Sequence, residues 1–101
     1  MIKHIVLFRL KDQAHGNSKA VNAQLIKEKL EALRGTIPGL LQLEVGIDDS
    51  RSDMSADIAL YSEFTSPAAL QAYVAHPAHQ AVLPFIAEAR LERRVCDYEV
   101  P

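Results

Sequence analysis

Cysteine is almost missing from this chain: Cys96 is the only one. It can close no internal disulfide and has no second thiol with which to anchor a metal. Lying in a strand-like run, it reads as a small core residue rather than a nucleophile. A surplus of charge is missing too. The formal charge is −2 and the pI is near 6, which argues against a surface built for nucleic acid. The one basic cluster, Arg90, Arg93 and Arg94, is interleaved with Glu88, Glu92 and Asp97. It reads as a solvated strand face. No apolar run reaches membrane-spanning length. The opening Met1 to Leu10 is too short, and too interrupted by charge, for a signal peptide. A cytoplasmic location is the expectation. There is no internal repeat and no low-complexity segment.

What is present is a chain of 101 residues, 49% hydrophobic. That excludes general disorder and bounds the answer to one small domain over residues 1–101. A chain this short buries about two-thirds of its unfolded surface. A modest core, or a partner, must hold it together.

Residues 2–10 read as a strand, with Ile2, His4, Val6, Phe8 and Leu10 on one face and Lys3, Ile5, Leu7 and Arg9 on the other. Both faces carry apolar residues, so both are expected to be covered. Residues 11–17 read as a loop. Asn17 or Ser18 caps a helix to about Arg34, with Ile26, Leu30 and Leu33 at helical spacing. Gly35 suits its end, and Pro38-Gly39 forbids continuation. Residues 40–48 alternate, with Leu41, Leu43, Val45 and Ile47 apolar. A charged connection leads to a third strand over 56–65, with Ile58, Leu60 and Phe64 on one side and Tyr61 on the other. Ser66-Pro67 starts a second helix, with Leu70, Tyr73 and Val74 inward. Residues 78–87 continue helically, with a kink expected at Pro84. Residues 89–100 form the last strand.

The candidate functional stretch is Tyr73 to Gln80. His76 precedes Pro77 and is pushed out of the α region, while Pro77 is preset for a new helical start. Unbroken, the helix would turn Tyr73 and His79 onto different faces. The break lets the two rings approach. A helix N-terminus beside His79 would keep its imidazole neutral and able to accept a proton. These residues suggest His79 as a base and Tyr73 as the group that orients it. His4 and His76 are candidates for contacting a substrate, each with a plainer reading: His4 as a core histidine bonded to a carbonyl, His76 as a helix cap. The spacing of His76 and His79 suits metal ligation on a helix, but the proline between them spoils it and no acidic residue lies nearby. No metal and no cofactor are expected.

The order β-α-β-β-α-β is the split βαβ, or ferredoxin-like, α+β pattern. It implies a four-stranded antiparallel sheet with helices on one face. The other face would leave Ile5 and Leu7 in water unless a second copy covers it, so a homodimer is expected.

The run Ile2 to Phe8, the Ile37-Pro38-Gly39-Leu40 turn, Phe64, Leu70, Tyr73 through His79 and the closing Asp97-Tyr98 together resemble the stress-responsive A/B barrel (Dabb) family. The resemblance covers essentially the whole chain. It implies a dimeric α+β barrel with helices outside and a pocket between sheet and helices. One branch of the family contains a plant polyketide cyclase that closes olivetolic acid by aldol condensation. Its tyrosine and histidine pair matches Tyr73 and His79, and a first-strand histidine matches His4. The match is incomplete: Ile58 stands where that cyclase has a histidine, and the helix after Ser18 has no tyrosine. The resemblance thus implies a cofactor-free cyclase- or lyase-type enzyme acting on a small carbonyl or polyketide-like compound. Its alternatives are a non-catalytic, stress-associated or ligand-binding dimer, and a cofactor-independent monooxygenase-like barrel.

Overall fold

The computed structural model describes residues 1–101. In chain order the elements are β1 (Ile2–Leu10), β2 (Gln13–Ala14), β3 (Asn17–Ser18), α1 (Lys19–Glu31), β4 (Leu40–Ile47), β5 (Ile58–Phe64), α2 (Pro67–Ala75), α3 (Pro77–Gln80), α4 (Leu83–Ala89) and β6 (Arg90–Glu99). The four long strands form one sheet in the order β4-β5-β1-β6, with every neighbouring pair antiparallel. This is the ferredoxin-like arrangement.

The alternation in β1 places Ile2, His4, Val6, Phe8 and Leu10 beneath the helices, all buried. Register carries the same face across β5 through Ile58, Leu60, Ser62 and Phe64. Ala23, Ile26 and Leu30 of α1, Leu70 and Tyr73 of α2 and Ile86 of α4 close the core from above. On the opposite face β1 presents Ile5 and Leu7, with Tyr61 and Ala59 beside them on β5 and Cys96 opposite Ile5 on β6. No helix covers that face, and Leu7 is 42% exposed.

Local chemistry sets the helix starts. The Ser18 hydroxyl accepts from the Val21 amide at 3.3 Å, and that of Ser66 from the Ala69 amide at 3.1 Å, with Pro67 at the first position of α2. Each hydroxyl satisfies one of the amides that a helix leaves unpaired at its N-terminus. Gly39 is required twice over. Its φ is +83°, and a Cβ there would stand 2.6 Å from the Ala69 Cβ. Only glycine lets the entry to β4 pass this close under α2.

The structure departs from the sequence-based expectations in several places. Residues 11–17 hold a small hairpin, β2–β3, turning on His15 and Gly16, both with positive φ, the geometry that a two-residue hairpin loop favours. The His15 ring stacks on Phe85 at 4.1 Å. Helix α1 stops at Glu31, three residues before Arg34. Pro84 kinks nothing; it lies at the start of α4, where a missing amide hydrogen costs no bond. A register shift between Leu40 and Gln42 puts Leu40, not Leu41, opposite Phe64, and Leu41 is exposed. Cys96 is exposed as well. It sits on the edge strand, on the face no helix covers.

Candidate functional site

Between the sheet and the α2–α4 segment lies a cavity of about 350 Å³. Val6, Phe8 and Leu60 line it from the sheet, and Val74, Leu83 and Ile86 from the helices. His4, Tyr73, His79, Arg90 and Arg93 supply its polar groups.

Tyr73 follows Leu70 by three residues on α2, which turns both side chains onto the buried face. Tyr73 is fully buried, and its hydroxyl has no hydrogen-bond partner in the chain. Burial pushes the phenol up to about 12, with Arg93 opposing the shift. The hydroxyl therefore stays protonated and can donate to an acceptor.

The His-Pro break brings His79 to it. His76 has extended backbone, ending α2 and opening α3. The interruption leaves the Val74 carbonyl without a helical partner. The His79 Nδ1–H donates to that carbonyl at 3.1 Å, and the Gln80 side-chain Nε2 donates to the same oxygen at 2.6 Å. A carbonyl only accepts, so Nδ1 carries the proton and Nε2 is the free acceptor of the neutral ring. The Tyr73 and His79 rings lie 4.3 Å apart and tilted by 39°. They meet through their faces, with no hydrogen bond between them. Burial is the first cause that lowers the His79 pKa, with His4 and Arg93 pushing the same way and the Val74 bond opposing. Neutrality thus comes from desolvation. A four-residue α3 is too short for the macrodipole invoked from the sequence to do it.

His4 is buried, its ring edge-on to Tyr73 with centroids 6.2 Å apart. Its Nδ1–H donates to the Asp97 carboxylate, directly opposite on β6. The partner is therefore a carboxylate, not the carbonyl expected for a core histidine. A carboxylate on Nδ1 holds the orientation of the ring, and Nε2 makes no hydrogen bond within the chain. His76 is the candidate that the structure places elsewhere. Its Nδ1 accepts from the Ala78 amide at 3.1 Å and caps α3, and it is not among the residues lining the cavity. His4, Tyr73 and His79 are brought together; His76 is not.

Sequence reasoning missed two participants. Asp97 is 93 residues from His4, and only strand register brings them together. Arg93, by its sequence neighbours, reads as part of a solvated face. It stands opposite Phe8 in the β1–β6 ladder, and since β1 turns Phe8 toward the helices, Arg93 reaches the cavity. The alternation of β6, counted from Arg93 to Asp97, was the available signal. No group of three His, Cys, Asp or Glu side chains is placed to hold a metal ion.

A four-stranded antiparallel sheet with helices on one face, enclosing a side-chain pocket, defines a ferredoxin-like α+β protein of the A/B barrel type. The chain belongs to the stress responsive A/B barrel domain (Dabb) family, whose model matches residues 2–100. It is 37% identical over 81 residues to an uncharacterized protein of Streptomyces coelicolor, covering 80% of this chain and 81% of that one. It is similar to a dimeric ferredoxin-like protein of unknown function from Bacteroides fragilis, at 37% identity and a TM-score of 0.87, over 98% of this chain and 95% of that one. A second such dimeric protein, from Thermobifida fusca, matches at 26% identity and a TM-score of 0.84, over 98% of this chain and 90% of that one. An antibiotic biosynthesis monooxygenase and the hydroxynitrile lyase of Passiflora edulis share the fold at 20% and 21% identity. No helix is long and apolar enough to cross a membrane.

Proposed function

We propose that this single-domain protein is a cofactor-free acid–base catalyst of the cyclase or lyase type, acting on a small carbonyl compound held in the cavity. The observation that carries this reading is the Tyr73 hydroxyl, buried and unpartnered beside two histidines with free Nε2 atoms. A buried hydroxyl without a bond costs about 1–3 kcal/mol, so its place is best explained by a ligand oxygen that accepts from it. In the proposed step, neutral His79 takes a proton from the carbon next to the carbonyl through Nε2. The developing enolate oxygen accepts the Tyr73 O–H bond, which strengthens as charge builds. His4, held by Asp97, contacts the substrate from the sheet side. That enzymes are found on this fold supports a catalytic reading but not this reaction in particular.

The test is deuterium uptake. A panel of 1,3-dicarbonyl compounds in D2O, followed by NMR, should lose its exchangeable C–H signal faster with the protein than without it. His79→Ala should abolish the acceleration. Tyr73→Phe should reduce it by roughly 100-fold or more, the scale for one oxyanion donor. Equal rates for the wild type and His79→Ala would discard the mechanism.

A second reading is a ligand-binding protein without turnover. One observation favours it: Tyr73 and His79 meet by their ring faces and form no hydrogen-bonded relay. Under either reading we propose a homodimer joined through Ile5 and Leu7, the apolar residues on the uncovered sheet face. We place its action in the cytoplasm, where a lone thiol such as Cys96 stays reduced.

A further inference from the structure

The chain carries more acid than base, 13 against 11, yet its cavity has the opposite balance. Arg90 and Arg93 are among the residues that line it, and no aspartate or glutamate is. Neither arginine forms an ion pair within the chain. Their neighbour Arg94, on the other face of β6, gives its Nε–H to Glu92 at 3.0 Å. The carboxylate of Asp97 is bound to the lining residue His4. It stands four residues along β6 from Arg93, about 13 Å of strand. His79, its pKa lowered first by burial, offers a lone pair rather than charge. The positive charge in the cavity is therefore unmatched, and Arg93 lies near enough to bias both Tyr73 and His79. Arg93 lines this largely apolar cavity while itself exposed, so its guanidinium is free to pair with a ligand that brings its own negative charge, under partial screening by water.

We propose that the cavity binds a small organic acid, with the carboxylate on Arg93, supported by Arg90, and the apolar body directed toward His4, Tyr73 and His79. This rests on the reading of the cavity as a ligand site and adds the class of ligand. A planar guanidinium pairs with a carboxylate through two parallel N–H···O bonds, which fixes the orientation of the body. It also excludes neutral molecules of the same shape, since these would leave the arginine unmatched.

The test is calorimetric titration with hexanoate, octanoate, benzoate and phenylacetate, each beside its neutral amide. The acids should bind and the amides should bind roughly 10- to 100-fold more weakly, the range for a hydrogen bond to a charged group. Arg93→Gln should remove that preference, Arg94→Gln should keep it, and added salt should weaken the acids alone. Both arginines are away from the buried core, so neither variant threatens folding. If acid and amide bind alike, if Arg93→Gln binds the acids as the wild type does, or if none of the four acids binds, the proposal is overturned. Its fate is separable from that of the catalytic reading. Acid binding without any deuterium exchange would keep the anion site and remove the catalyst. Exchange on neutral dicarbonyls that survives in Arg93→Gln, with no acid bound, would do the reverse.

Discussion

The two edge strands of the sheet, β4 and β6, have opposite surroundings. Both set apolar residues among polar ones. Side chains of α1 and the turn after it finish the edge of β4. Lys27 Nζ donates to the Val45 carbonyl at 2.6 Å, Glu31 accepts from the Val45 amide at 3.1 Å, and Arg34 Nε donates to the Leu43 carbonyl at 2.6 Å. Leu43 and Val45 are 2% and 3% exposed. No comparable bond reaches the free edge of β6, and Val95 is 48% exposed. Alternation therefore states which residues share a face. Whether that face becomes core depends on a helix lying over it. Where cover stops short, the cavity opens, and the strand contributes Arg90 and Arg93 to it rather than packing, while Asp97 holds His4.

The largest expected effect sets one edge against the other. Leu43→Ala should lower stability by about 2–5 kcal/mol, the range for a buried leucine. Val95→Ala should stay within about 0.5 kcal/mol, as surface changes do. Urea denaturation of both variants checks this. Equal losses would show that β6 is covered in solution and would erase the contrast.

A smaller effect distinguishes function from packing inside the cavity. Tyr73→Phe removes a buried hydroxyl that bonds to nothing in the chain. Stability should hold or rise by up to about 1 kcal/mol, because an unmet desolvation penalty disappears. Thermal denaturation is the measurement. A loss of more than about 1 kcal/mol would mean that the hydroxyl is bonded in the free protein, and the case for a ligand oxygen would go with it.

These contrasts mark what the residues alone could disclose. The order of elements, the inward set of β1 and the Ser66-Pro67 start of α2 were legible because each rests on local chemistry or on a period sustained over many residues. So was the break at His76-Pro77, since proline acts on its immediate neighbour. The β2–β3 hairpin was not, because two residues per strand define no period. The exposure of Leu41 was not, because a strict period of two fails wherever a bulge inserts one residue. Cys96 was misread as core because coverage of a strand is a tertiary fact. The pairing of His4 with Asp97 stayed hidden for a related reason: the two ends of the chain meet only through the β1–β6 register. Arg93 sits in the same ladder, and the charges around it in the sequence read as a solvated face, although the register with Phe8 turns it toward the helices.

Acidification should separate the two regions by the smallest effect. In the cavity, His79 has its pKa held below the ordinary 6.5, first by burial. At the β4 edge, Glu31 has its carboxyl held below the ordinary 4.5, first by its bond with Lys27 and with help from the Val45 amide and Arg34, against desolvation. The sign is the same for both. A lowered folded pKa means that the unfolded chain takes up the proton first, so stability falls as pH falls. His79's contribution is complete above 6.5 and is lost as the pH drops through its folded value. Glu31's is complete above 4.5 and is lost further down, in the range where Asp48, also lowered, titrates. Both effects are modest, since neither side chain is sealed from water. Urea midpoints measured stepwise from neutral to acid pH should show a decline beginning near 6.5 and a steeper one below 4.5. His79→Gln should flatten the first and leave the second. Glu31→Gln should shrink the second and leave the first. A wild-type profile that is level through 6.5 would mean that the His79 ring is hydrated like a surface histidine. The cavity end would then be as wet as the open face of β6, and His79 would lose the desolvation that keeps it a neutral base.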